Sequence, residues 1–354
     1  MTQHLDFTGH TLFIGLDIGK KSWKVSIFTE VLEHKVFTQP PSVVVLVNYL
    51  QRNFPGARYE CVYEAGYCGF WIHDELEQRG INCIVVNPAD VPTTHKETTY
   101  KTDRVDARKL ARSLRNRELH SIYVPLRPSL EDRTLVRLRE RTVSKLTRCK
   151  NQIKGLLQFY GIPLPDDIAD HHWSNKFLQW LQTCSLERAS GNQSLHCLLD
   201  ELDHLRQTVA ALTKHIRSLA LQEPYRLPVA YLVSIPGIST LTAMTLLTEL
   251  VTIDRFPRLD HLASFVGLVP GEHSSGDTEL TTGITTRRNA TLRMLLIESA
   301  WIAARKDPAL TLAFTQLSHR MPKNQAIIRI ARKLLNRIRF VLKHQQPYVI
   351  AVVQ

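Results

Sequence analysis

Four absences frame this sequence. No apolar run in its 354 residues approaches the roughly 20 residues needed to span a bilayer. The opening residues, Met1-Thr-Gln-His-Leu-Asp-Phe7, lack the basic and apolar blocks of a secretory leader. Six cysteines, at 61, 68, 83, 149, 184 and 197, form no C-x-x-C pair, which argues against a zinc ribbon and a disulfide framework. Together these predict a cytoplasmic protein with no membrane partner. There is no short repeat or low-complexity tract. Acidic residues are scarce in one place: from Thr281 to Gln345 only Glu298 and Asp307 stand against 13 Lys and Arg.

That last scarcity is the informative one. The chain carries a net +12, and the segment 281–345 supplies +11 of it. So uneven a distribution is expected where a polyanion binds, and the commonest polyanion is nucleic acid. A charged, solvated surface is the plainer alternative. The candidate nucleic-acid contacts are Arg287, Arg288 and Arg293, and then Arg329, Arg332, Lys333, Arg337 and Arg339 on a final basic helix near 324–343. Binding of this kind would associate the protein with the nucleoid.

Patterning predicts three regions: 1–125, 126–222 and 223–354. Residues 11–18, 22–29 and 33–38 read as strands, followed by a helix near 41–52, a strand at 59–64, a helix at 69–79 and a strand at 81–86. This β-β-β-α-β-α-β order predicts a mixed, ribonuclease-H-like α/β sheet. Pro125, Pro128 and Ser129 mark a boundary. A helix from about 130 to 160 carries Leu135, Leu138, Thr142, Leu146, Cys149, Ile153 and Leu156 at spacings of three and four. A second helix repeats Leu195, Leu198, Leu202, Leu205, Val209, Leu212, Ile216 and Leu219, the seam of a coiled coil. Pairing within one chain and pairing between protomers are equally open. The last region reads as mostly α-helical. It holds a helix-hairpin-helix pattern around Pro236-Gly237 and a Gly/Pro/Ser loop at 265–276.

Four carboxylates stand out within this frame. Asp17 and Glu64 each end an apolar strand, and Asp103 and Asp106 open a helix, three residues apart and so on one face. Singly, each reads as a cap, a turn residue or an ion-pair partner. Together they read as oxygen ligands for one or two Mg²⁺, because clustered carboxylates repel unless cations relieve them. An acidic pocket in a basic chain points to phosphodiester chemistry. Ser274 and Ser275, beside Gly276, read by themselves as a plain turn.

Five motifs change that reading. They are Gly15-Leu-Asp17-Ile-Gly-Lys, Tyr63-Glu64-Ala-Gly-Tyr, Lys101-Thr-Asp103-Arg-Val-Asp106-Ala-Arg-Lys-Leu-Ala, Ser234-Ile-Pro-Gly-Ile and Gly267-Leu-Val-Pro-Gly-Glu-His-Ser-Ser275-Gly. In this order they resemble the DEDD insertion-sequence transposases of the IS110 family, whose pattern covers most of the chain. One departure is that Thr286-Arg-Arg288 stands where the family usually has Lys-x-Gly.

The resemblance implies a RuvC-like domain, a helical coiled-coil middle and a C-terminal transposase domain. It implies Asp17, Glu64, Asp103 and Asp106 as metal ligands and Ser275 as nucleophile, with Ser274 its neighbouring rival. It further implies target and donor DNA and a structured bridge RNA as partners. The homo-oligomer it implies, a dimer of dimers, would join the carboxylates of one protomer to the serine of another. The alternatives are a RuvC-like nuclease, a DNA invertase of the same lineage and a non-catalytic nucleic-acid-binding protein.

Overall fold

The computed structural model describes residues 6–93, 103–165, 173–275, 278–285 and 287–350, with backbone alone for 103–104 and 271–283. The chain divides into two compact units, Met1–Val124 and Pro125–Gln354.

Three strands begin the first unit: β1 (Thr11–Ile18), β2 (Trp23–Phe28) and β3 (Glu33–Gln39). Then come α1 (Val43–Asn53), β4 (Arg58–Glu64), α2 (Trp71–Glu77) and β5 (Asn82–Val86), and finally α3 (Asp103–Arg115). The sheet order is β3-β2-β1-β4-β5. β1 runs antiparallel to β2, as β2 does to β3, while β1–β4 and β4–β5 are parallel. This is the ribonuclease-H-like arrangement that the element order predicts.

Strand periodicity decides which face each residue of β1 takes. Leu12, Ile14 and Leu16 are fully buried in the core that α1 and α2 cover with Leu46, Leu50, Ile72 and Leu76. Each such burial contributes about 1.5–3 kcal/mol. Phe13, Gly15 and Asp17 alternate onto the other face. There Phe13 and Val62 pack with Leu110, Ala111 and Leu114 of α3. Ser42 starts α1 by accepting the Val45 N–H.

The second unit opens on α4 (Arg127–Phe159), continues through α5 (Asn175–Thr183) and then runs along α6 (Ala189–Leu219). The two long helices pair within the chain. Arg139 Nε donates to Thr213 Oγ1 at 2.7 Å and Cys149 Sγ to the Leu198 carbonyl at 3.4 Å, so they run antiparallel. Leu195, Leu202, Leu205, Leu212 and Ile216 of the expected seam are buried. Phe177 and Leu181 of α5 close one end against Cys149, Ile153 and Leu157.

The expected stripe of α4 fails near its start, where Leu138 is 47% exposed and Val136 is buried instead. The reason is a change of neighbour. This first part of α4 packs on α8 (Thr240–Leu250), and Arg133 Nε donates to the Thr248 carbonyl there.

Around α8 lie α7 (Arg226–Val233), α9 (Leu259–Val266), α10 (Ala290–Lys306), α11 (Pro308–Ser318) and α12 (Lys323–His344). α12 runs through the core, with Ile330, Leu334, Leu335, Ile338 and Val341 fully buried. The segment expected as a Gly/Pro/Ser loop is different. Its residues enter a two-stranded antiparallel ribbon, β6 (Pro270–Ser275) with β7 (Thr278–Ile284). Thr278, Thr281, Thr282 and Ile284 favour the extended chain, and Pro270 takes the first strand position, where its missing N–H costs little.

Candidate metal centre and serine ribbon

Asp17 and Glu64 lie at the C-terminal ends of adjacent parallel strands. Leu16 pairs with Tyr63, so the next register step sets Asp17 beside Glu64. Both belong to the face that α3 covers, since Phe13, Gly15 and Asp17 alternate with the buried leucines as Glu60, Val62 and Glu64 alternate with Cys61 and Tyr63. Carboxyl ends of parallel strands are where open α/β sheets place ligands.

The height of α3 over that face is set by three small residues. A Cβ added at Gly15 would lie 2.5 Å from the Ala111 nitrogen and closer still to the Ala107 carbonyl oxygen. Helix backbone therefore rests directly on strand backbone, and only glycine leaves the room. Ala107 and Ala111, four residues apart, form the matching small face of α3. This gives a physical reason for Gly15-x-Asp17 to occur with Asp106-Ala-x-x-Leu-Ala in one sequence: the contact holds Asp106 over the strand ends.

Lys109, which sequence reasoning passed over, reaches into this cluster. Its Nζ lies 3.3 Å from Asp106 Oδ1 and 3.8 Å from Glu64 Oε1. The residue is only 7% exposed. The available signal was its spacing, one helical turn after Asp106 on a stretch that otherwise buries Ala107, Leu110 and Ala111. At the rim, Tyr67 OH donates to the Ile18 carbonyl at 3.0 Å, tying the turn after Glu64 to the end of β1.

The donor set is all oxygen, on rigid strand ends and one helix, which suits a hard cation such as Mg²⁺. Among the described residues no three His, Cys, Asp or Glu gather closely enough to hold a metal ion by themselves. The side chain of Asp103, the fourth expected ligand, lies outside the described residues.

In the second unit, Ser274 and Ser275 are the last residues of β6, opposite Glu279 and Thr278. Their side chains also lie outside the described residues, as does Thr286 of the departing stretch. The base of the ribbon is better defined. Gly267 ends α9 at φ +84°, and a Cβ there would collide with Arg288 Cβ and lie 3.2 Å from the Arg287 carbonyl oxygen. The start of β6 and the Arg287–Arg288 segment after β7 are thus clamped together at a glycine. Arg287 and Arg288 are exposed, and Arg293 Nη1 donates to the Thr285 carbonyl at 2.8 Å. Arg288 also lines a cavity of about 790 Å³ with Arg139 and Arg141 of α4.

Below the ribbon sits a second charged cluster that sequence reasoning did not find. Glu249 of α8, 4% exposed, accepts from Arg137 Nε at 2.6 Å and Nη2 at 2.8 Å, and from Asn289 Nδ2 at 2.9 Å. Asn289 also caps α10 through the Leu292 N–H. Burial pushes the Glu249 carboxyl up, but bonding to Arg137 and Asn289 more than offsets this and holds it below its usual range.

The basic helix divides its charges. Arg332 pairs with Asp260 at 2.6 Å, Arg337 with the buried Asp307 at 3.1 Å, and Arg339 donates to the Pro257 carbonyl. Arg329 and Lys333 are exposed. The Pro236-Gly237 turn of the helix-hairpin-helix pattern packs against Ser299 and Ala303 of α10.

The chain is similar to known transposases over much of its length. Residues 14–162 match a family of DEDD transposases of the IS110 type, and residues 229–316 match the family described as transposase IS116/IS110/IS902. The chain is 31% identical to a putative transposase, y4qE, of Sinorhizobium fredii over 69% of its own length and 59% of that protein. It is 28% identical to the transposase for insertion sequence element IS1111A of Coxiella burnetii, over 76% of this chain and 73% of that one. A probable family 20 transposase of Pseudomonas aeruginosa is 24% identical over 90% and 93%.

The two matched segments place the chain in the transposase class. Within that class, the chain belongs to the IS110 family. No described helix is long and apolar enough to cross a membrane.

Proposed function

We propose that this chain is a Mg²⁺-dependent DNA transposase of an insertion sequence, cutting and joining strands through a phosphoserine ester on Ser275. The observation that carries the proposal is the pairing of Asp17 and Glu64 at neighbouring strand ends on the face that Gly15 lets α3 approach. Family membership supplies the context.

Asp17, Glu64, Asp103 and Asp106 would hold the metal, which would neutralise charge on the phosphoryl oxygens. Ser275 Oγ attacks phosphorus, a P–O bond of the DNA breaks, and the serine proton ends on the leaving hydroxyl. The ester conserves bond energy, so a hydroxyl from a second strand can reverse the step and complete the exchange. Arg287, Arg288 and Arg293, at the base of the ribbon, would position the phosphate through charge-assisted hydrogen bonds. Arg329 and Lys333 would contact the DNA backbone further away. A structured RNA pairing with target and donor DNA would select the sites, acting on a tetramer whose composite sites draw carboxylates and serine from different protomers, near the nucleoid.

The test uses full-length protein with Mg²⁺, labelled target and donor DNA and the element's structured RNA. The expected product is a protein–DNA adduct that survives denaturation and is absent in Ser275→Ala and in Asp17→Ala. An adduct lost in Ser274→Ala but kept in Ser275→Ala reassigns the nucleophile. Hydrolysed DNA with no adduct indicates a RuvC-like nuclease using water. Tight binding without metal-dependent cleavage indicates a binding protein.

A further inference from the structure

Lys109 is the charged group in the carboxylate cluster that the proposed chemistry does not use. Its ammonium bridges two carboxylates from different elements, Asp106 on α3 at 3.3 Å and Glu64 on β4 at 3.8 Å. It does so from a side chain only 8% exposed. Two catalytic metal ions in a phosphodiester site stand about 3.5–4 Å apart. The Lys109 ammonium supplies positive charge between Glu64 and Asp106, two of the acids that would hold such ions.

The lysine has little freedom to leave. It lies between Ala107 and Ala111, whose backbone rests on Gly15, so its stem starts close against the sheet. Turning the ammonium aside would break both pairs of a side chain that is only 8% exposed. Electrostatics points the same way. A fixed positive charge already relieves part of the repulsion between Glu64 and Asp106, so less attraction remains there for a second divalent ion.

We propose that Lys109 stands in for one of two metal ions, making this a one-metal site. The remaining Mg²⁺ would be held toward Asp17, and Lys109 would position Glu64 and Asp106 around it. This rests on the metal reading given above and goes beyond it by fixing the number of ions.

The test is a Mn²⁺ titration of the full chain by electron paramagnetic resonance, with Asp17→Asn subtracted to remove sites elsewhere. The expected stoichiometry is one Mn²⁺ with an uncoupled six-line signal in the wild type. In Lys109→Met it rises to two with a spin-coupled signal, and in Lys109→Arg, which keeps the charge, it stays at one. Should Lys109→Met not fold, Lys109→Gln carries the same comparison. Two coupled ions in the wild type, or one ion in both neutral variants, overturns the inference and leaves the metal reading standing. No bound Mn²⁺ in any of these proteins overturns the metal reading and the inference with it.

Discussion

Two charged clusters in this molecule differ in how closely their charges are paired. Around Glu249 every donor–acceptor distance lies between 2.6 and 2.9 Å, and three elements converge on one buried carboxylate. Around Lys109 the distances are 3.3 and 3.8 Å, and among the described residues two acids share one base. The first cluster is closed: its charges and hydrogen-bonding capacity are matched, and it joins α4, α8 and α10. The second is looser: among the described residues one ammonium faces two carboxylates at longer range. A balanced cluster stabilises a fold, whereas an unbalanced one on rigid strand ends is what a cation-dependent site requires.

Exchanging the roles of the two clusters should break this comparison most visibly. Glu249→Ala leaves Arg137 and Asn289 without their acceptor and should cost about 3 kcal/mol, below the upper range for buried pairs because Arg137 is partly solvated. Glu64→Gln should cost less than about 1 kcal/mol or even stabilise the metal-free protein, since it relieves repulsion. Urea unfolding of each unit measures both, and equal losses would show that the clusters do the same job. Glu64→Gln should also abolish Mn²⁺ binding, which Glu249→Ala should leave intact.

A smaller effect is expected at the contact that sets the looser cluster. Gly15→Ala forces α3 away from β1 and should destabilise the first unit by about 1–3 kcal/mol. Metal affinity should fall further than that loss explains, because Asp106 moves with the helix. Unchanged affinity would show that α3 does not set the ligand distance.

Acid should distinguish the clusters next. Glu249 has a lowered pKa in the folded protein. Its contribution is therefore complete above the ordinary glutamate value of about 4.3 and is lost as pH falls through the lower folded value. The stability gap between wild type and Glu249→Gln should accordingly be wide at neutral pH and close on acidification. A constant gap would mean that the buried pair is not the source of the difference.

The basic helix gives the smallest expected effect. Replacing Arg329 and Lys333 by Gln should reduce the salt slope of DNA binding by about two units, if each meets one phosphate. The pairs made by Arg332 and Arg337 make stability the more sensitive readout for those two. A larger slope change from Arg337→Gln than from Arg329→Gln would reverse that division.

What could be read from the sequence follows these physical differences. The element order and mixed sheet are legible because strand alternation and an apolar core repeat through β1, β2 and β4. Asp17 and Glu64 stood out because each ends such a run. The ribbon reads as a loop because Gly271 and the paired serines are turn formers locally, while its pairing depends on the following stretch Thr278–Ile284. Leu138 fits the stripe of α4 by spacing, yet the helix changes neighbour there, and periodicity carries no record of a neighbour. Glu249 gives no sign in sequence of being buried, because its partner Arg137 lies 112 residues away; Lys109 shows only its spacing from Asp106, since Glu64 lies 45 residues away.

The seat of α3 on Gly15 has a consequence for how such elements decay. Insertion sequences accumulate in genomes as many copies, most of them free to drift. A copy with a larger residue at 15, 107 or 111 would keep every carboxylate and its serine and would look intact to any search for catalytic residues. Its main chains would meet less closely, and on the proposed function such a copy would lose metal affinity first. Three residues with almost no side chain thus become as informative about a copy as its acids.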